Sequence, residues 1–207
     1  MQTMNHWIAS AIMGLSLLAL AGCASSKPSR YYVLSALNPT QSAKADLAVS
    51  VGIGPIEFPE YLDRPQIVTR GSQNRLYLGE FDRWAEPLEQ NFARVLAENL
   101  AALLSTDDVH QYPWKRSARL NYQIIVSVNR FDAVIGGDTV LNVRWTVSDG
   151  DGRTIVPPRA SRIAKPAASA DYEAIVQAGS RALEELSRQI AAAIQEIEVT
   201  PAPTGGS

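Results

Sequence analysis

Cys23 is the only cysteine of the 207-residue chain, and His6 and His110 are its only histidines. A metal centre built from several histidine or cysteine ligands therefore has too few donors to draw on, and we expect no metal and no cofactor. A Ser-His-Asp arrangement would have to use His110, in the segment Asp107 to Trp114, and no nucleophile-elbow sequence accompanies it. Gly52-Ile53-Gly54 runs into Pro55 and not into a helix with free amides, so it reads as a strand end and turn and not as a phosphate cradle. Asp149-Gly150-Asp151-Gly152 offers two carboxylates but lacks the further oxygens and closing Glu of a calcium loop, and reads as a hairpin turn. Glu57 with Glu60, and Glu80 with Asp82 and Glu86, stand near prolines, where charges belong to a solvated loop surface. No residue is nominated as catalytic, and the chain is read as a non-enzyme.

The chemistry that remains is acylation. Trp7 to Ala21 is apolar, short of the ~20 residues a membrane-spanning helix takes but suited to the core of a secretory signal. Residues 1 to 22 carry no Lys or Arg, an unusual feature for such a segment. Leu20-Ala21-Gly22-Cys23 resembles the bacterial lipobox. The resemblance implies cleavage between Gly22 and Cys23, a thioether-linked diacylglycerol on Cys23 and a further acyl chain on its new amino group. Each buried methylene contributes about 0.8 kcal/mol, so two or three chains hold a protein that one would release. Ala24 and Ser25 follow the cysteine, where an Asp would resemble an inner-membrane retention signal. This sorting pattern implies the periplasmic face of the outer membrane.

Removing residues 1 to 22 leaves enough chain for one domain with its own core. The net charge of -2, with no cluster of Lys and Arg among aromatics, excludes a phosphate-backbone surface and makes nucleic acid an unexpected partner. With Cys23 acylated no disulfide can form, so stability must come from packing.

Residues 23 to 30 read as a tether, and Tyr31 to Ser35 as a first strand. Asn38 to Ala45 reads as a loop. Leu47, Val49, Val51 and Ile53 alternate with small residues in a strand expected to stop at Gly54-Pro55. Gln66 to Arg70 and Arg75 to Leu78 flank Gly71-Ser72-Gln73-Asn74 as a hairpin. Trp84, Leu88, Phe92, Val95, Leu96, Leu100 and Leu103 share a helical face, and Pro87 in the first turn places its start near residues 84 to 86. Leu120 to Val128, Thr139 to Ser148 and Thr154 to Ile163 predict three consecutive antiparallel strands. Ser169 is expected to cap a last helix with the stripe Tyr172, Ile175, Gly179, Leu183, Leu186, Ile190, Ile194 and Ile197. Residues 199 to 207 lack the apolar content to pack and are expected to be disordered. The sum is an α+β fold: a mixed, largely antiparallel sheet with two long helices packed on one face, a two-layer sandwich.

Val51 to Leu104, above all Tyr61-Leu62-Asp63-Arg64-Pro65 and Arg83-Trp84-Ala85-Glu86-Pro87-Leu88, resembles the ABC-type transport auxiliary lipoprotein family, as does Tyr31-Tyr32-Val33-Leu34. The resemblance covers nearly all of residues 23 to 197 and implies such a domain over 31 to 198. It implies an outer-membrane lipoprotein that works with an MCE-domain protein, and with an ABC or other inner-membrane permease, in moving lipid between membranes. Asp63 and Arg64 can pair locally, and Arg83 can stack on Trp84. Facing outward with Tyr61 and Glu86, these residues have the composition of an interface. A homo-oligomer is expected, since a domain this small surrounds a tube only as several copies. The competing reading is an outer-membrane biogenesis or structural lipoprotein that binds a barrel protein or the cell wall. The strands carry no oversized apolar set demanding a lipid cavity, which favours protein contacts over lipid carriage.

Overall fold

The alternation from Tyr122 onward is that of a strand with one face under helices: Tyr122, Ile124, Val126 and Val128 are buried, while Gln123, Ile125 and Ser127 are half-buried. In the computed structural model, which describes residues 27–38, 48–115 and 118–199, that strand is the spine of the sheet. The cleavage and sorting positions Gly22, Cys23, Ala24 and Ser25, the greater part of the loop expected at residues 38 to 45, and the tail from Thr200 lie outside the described residues. In chain order the elements are β1 (Arg30–Tyr32), β2 (Val51–Glu57), a 3-10 turn (Glu60–Leu62), β3 (Gln66–Ser72), β4 (Arg75–Trp84), α1 (Leu88–Leu104), β5 (Val109–Gln111), β6 (Tyr122–Ala133), β7 (Asp138–Asp149), β8 (Thr154–Pro166) and α2 (Tyr172–Val199).

The 8-stranded sheet is mixed, and its longest ladders, β6 with β7 and β7 with β8, are antiparallel. One edge of β6 carries β7. The other is shared: β2 pairs in parallel with its first half, from Val51 opposite Tyr122 to Glu57 opposite Ser127, and β3 touches only its end, Thr69 opposite Ala133. The sheet therefore forks, with β5 beyond β2 on one arm and β4 then β1 beyond β3 on the other. Helix α1 packs on β2 and β5, α2 packs on β7 and β8, and the helices pack on each other, which is the expected α+β sandwich.

Local expectations are corrected at the second strand and at the start of each helix. The second strand does not stop at Gly54-Pro55 but runs to Glu57, because a register shift between Ile53 and Ile56 takes Pro55 out of the ladder, where its missing N–H is harmless. The first helix starts at Leu88 and not near residues 84 to 86: Pro87 holds Glu86 out of the helical region, and Trp84 is the last residue of β4. The cap of α2 is Asp171, whose Oδ1 accepts the Ala174 amide at 2.8 Å, while Ser169 donates to the other oxygen of the same carboxylate. Both bonds, Ser169 first, hold the Asp171 carboxyl below its ordinary range.

Phe92 is fully buried between Phe58 and Phe131, with ring centroids at 5.3 and 5.9 Å in edge-to-face contact. Trp145 donates its indole N–H to Ser161, which donates to Gln189 of α2, so this buried indole and hydroxyl are paired. Gly179 lets α2 come down on β6, since a Cβ there would lie 3.1 Å from the Phe131 ring.

Two buried asparagines organise the start of the domain. Asn91 and Asn99, both fully buried on α1, accept the backbone N–H of Leu34 and of Leu37 at 2.7 and 2.8 Å. Their spacing of eight residues is two helical turns, so they lie on one face. Ser180 of α2 accepts the Ser35 amide from the other side, and Asn99 donates to Ser187. The strand expected over Tyr31 to Ser35 is accordingly short, because beyond Tyr32 the chain leaves β4 and runs between the helices with Leu34 and Leu37 buried. Before it, Asp82 of β4 accepts Arg30 at 2.8 Å and the Tyr32 hydroxyl at 2.8 Å.

Asn99→Ala strands the Leu37 amide in the interior, while Ser187 keeps its bond to the Leu183 carbonyl, and urea unfolding is expected to show a loss of about 1–3 kcal/mol; a loss within the range of an ordinary surface change would refute the clasp. Burial, then the bond to Asp82, pushes the Tyr32 phenol up to about 12, and burial with Glu198 raises Tyr122 likewise. A raised folded value means that the neutral phenol supports the fold. Its contribution is complete below the unfolded pKa near 10 and is lost as pH rises through the folded value. Stability is therefore expected to fall from about pH 10 upward, in step with late phenolate absorbance, with a shallower fall in Tyr32→Phe.

Candidate functional site

The chain between β2 and β3, Phe58 to Pro65, has no strand partner and fills the fork. Phe58 turns to the helix side against Phe92, and Leu62 is buried. Two backbone bonds join this loop and the β1 strand to the end of β4: the Trp84 amide donates to the Pro65 carbonyl at 2.7 Å, and the Ala85 amide to the Tyr32 carbonyl at 2.9 Å. Segments about twenty residues apart in sequence thereby become the two walls of one cleft.

The cleft has a volume of about 310 Å³ and is lined by Asp63-Arg64-Pro65 on one side and by Trp84 through Leu88 on the other. Of the residues singled out in the sequence, Asp63, Arg64, Trp84 and Glu86 meet here. Tyr61 and Arg83 do not line it. Arg83 sits opposite Gln66 and next to Trp84 on the strand, and consecutive strand residues face opposite ways, so Trp84 turns toward the core and Arg83 away from it. The expected stacking of Arg83 on Trp84 is therefore absent; the cation-π contact among the described residues is Arg159 over Trp145. Nor do Asp63 and Arg64 pair: the ion pairs of the described residues do not include them. Both Arg64 and Arg83 bury an Nε without a hydrogen-bond partner.

Glu86 is committed to the fold. It accepts from Arg94 at 2.7 Å and from Asn91, and these bonds, Arg94 first, hold its carboxyl below the ordinary range. It thus fixes the chain that turns from β4 into α1. Pro87 supplies no capping side chain, and the first intrahelical bond runs from the Asn91 amide to the Pro87 carbonyl. The cleft offers two prolines and one unmatched guanidinium over the largely buried Trp84, with no nucleophile beside a base. Such a surface can seat an apolar side chain with an acidic neighbour.

Tyr61 belongs to a cluster that sequence reasoning missed. Asp132, its side chain fully buried, accepts Arg70 at 2.7 Å, Arg130 at 2.7 Å and the Tyr61 hydroxyl at 3.2 Å. Burial, then the Asp132 charge, raises the Tyr61 phenol. Arg130 and Asp132 share a strand face by their spacing of two, and an acid inside Phe131-Asp132-Ala133 was the available signal. Arg70, on another strand, was legible only in three dimensions. The cluster ties the fork loop to β3 and β6 and is a positioning device for the cleft. Asp132→Ala leaves two arginines facing each other, and denaturant unfolding is expected to show a loss of about 3–5 kcal/mol, against about 1 for Tyr61→Phe. Near-equal losses would contradict the asymmetry.

The model of a family described as the ABC-type transport auxiliary lipoprotein component matches residues 32–191. Among solved structures, an uncharacterized protein superposes with a TM-score of 0.67 at 20% identity, covering 81% of this chain and 99% of its own. Protein XCC0632 from Xanthomonas campestris, assigned to the DUF330 family, superposes with a TM-score of 0.67 at 17% identity, covering 83% of this chain and 100% of its own. At these identities the two likenesses establish the fold. No curated protein matches the chain. The match spans both arms of the forked sheet and most of the helical layer, and the chain belongs to the ABC-type transport auxiliary lipoprotein family.

Proposed function

We propose that this protein is the outer-membrane lipoprotein of an MCE-type lipid-transport system, a docking subunit without enzymatic activity. It is held on the periplasmic face by acyl chains on Cys23, released from residues 1 to 22 by cleavage after Gly22, and sorted by Ala24 and Ser25. The tether of residues 23 to 30 leads into the folded domain of residues 31 to 198. The observation that carries the reading is the convergence of Asp63-Arg64-Pro65 and Trp84 through Leu88 on one cleft within a chain matched by the transport auxiliary family. An open cleft between prolines and the largely buried Trp84, with an unpaired guanidinium on its wall, has the chemistry of a protein-docking hot spot. Its volume suits a side chain or two and falls at the small end for a lipid, which favours a protein occupant. The partner is an MCE-domain protein, fed by an ABC or other inner-membrane permease, and several copies of this domain surround it.

Capture of the acylated protein from crosslinked envelopes tests this. An MCE-domain protein is expected in the capture, lost with Cys23→Ala, and reduced about tenfold or more by Arg64→Glu with thermal unfolding unchanged. Recovery of a barrel protein or of cell wall in its place would replace the transport reading by a structural one.

A further inference from the structure

Of the large apolar residues exposed among the described residues, Tyr31, Val33, Tyr112 and Val199 stand elsewhere, and the other four gather on two neighbouring segments. Tyr77 and Leu78 on β4 are 51% and 46% exposed, and Val134 and Ile135 after β6 are 43% and 45% exposed. Thr69 is the ladder partner of both Tyr77 and Ala133, so β4, β3 and β6 deliver these four residues to one end of the sheet. The polar tips Gln73-Asn74 and Gly136-Gly137 flank them there.

The start of β1 faces the same end. Strand β1 is parallel to β4, with Arg30 opposite Asp82, so the residues before Arg30 head toward Arg75 and the hairpin tip. Strand β3 covers that distance in the six steps from Gln66 to Ser72, about 20 Å at 3.3 Å per residue. The seven residues from Cys23 to Arg30 reach at most about 25 Å. By the same registers β1 lies three steps short of Ala133 and eight from Tyr122, so the far end of β6 is out of the tether's comfortable reach.

We infer that the end of the domain bearing Tyr77, Leu78, Val134 and Ile135 rests in the headgroup region of the bilayer that holds the acyl chains. This inference depends on the reading of Cys23 as the acylated residue. Tyrosine with small aliphatic clusters between polar tips is the composition that settles at a membrane–water boundary, where the apolar body is dry and the hydroxyl wet. The cleft at the end of β4 and the outer side of the fork then stand clear of the lipid and open to the periplasm.

The test uses the mature acylated chain in vesicles of phosphatidylethanolamine and phosphatidylglycerol containing a doxyl-labelled phospholipid. Because Cys23 is acylated, Leu78→Cys, Ile135→Cys and Tyr112→Cys each provide a single free thiol for a bimane label; Tyr112 lies on the far side of the fork, beside β5. Labels at positions 78 and 135 are expected to shift to the blue and to be quenched at least about twofold more than at 112. Equal quenching at all three, or stronger quenching at 112, overturns the inference. Flotation separates the two readings: a chain that floats with the vesicles without quenching at 78 and 135 sinks this inference alone, whereas one that does not float removes the acyl anchor on which it rests.

Discussion

The rest of the fold hangs on two backbone amides. Leu34 and Leu37 lie in a stretch of chain that pairs with no strand, are themselves buried against the helices while Val33 and Ser35 are exposed, and still have to satisfy their N–H groups. Asn91 and Asn99 do this from one face of α1, and Ser180 answers from α2. Burying those amides unpaired would cost more than most single side chains contribute, so the helices cannot separate without losing the segment, nor the segment leave without opening the helices. The stretch is therefore a key between two bars, and it starts within a few residues of the tether.

The fork in the sheet follows from a shortage of partner. The spine β6 is longer than β2 and meets β3 only at its last residue, which leaves a gap that irregular chain must fill. A loop in such a place needs its own restraints, and it has them: Phe58 in the core, Tyr61 on Asp132, and Pro65 bonded to Trp84. Because the restraints lie behind the loop, Asp63 and Arg64 are left at its front without partners in the fold.

Asp132 and Glu86 divide the work of the charged residues between them. Asp132 lies behind the loop, fully buried between two arginines, where removing one partner is costly and the charge has no access to solvent. Glu86 lies at the rim, where Arg94 and Asn91 bind it to the first turns of α1. Neither is free to act as an acid or a base in the cleft, so both charges serve its shape.

What the sequence determined was set by local physics. Period-two alternation marked the strands of the β6–β7–β8 meander, the 3.6-residue stripe marked both helices, and the dearth of histidine and cysteine bounded the chemistry; the motifs around Asp63-Arg64-Pro65 and Trp84 marked the family. Tertiary structure alone decided the continuation of β2 past Pro55, the end of β4 at Trp84, the key formed by Leu34 to Leu37, and the gathering of Arg70, Arg130 and Tyr61 on Asp132. The reason is common to them all. Periodicity records which face of an element is dry, but not which distant backbone amide or charge will be brought against it, and each of these features is a pairing between segments far apart in the chain.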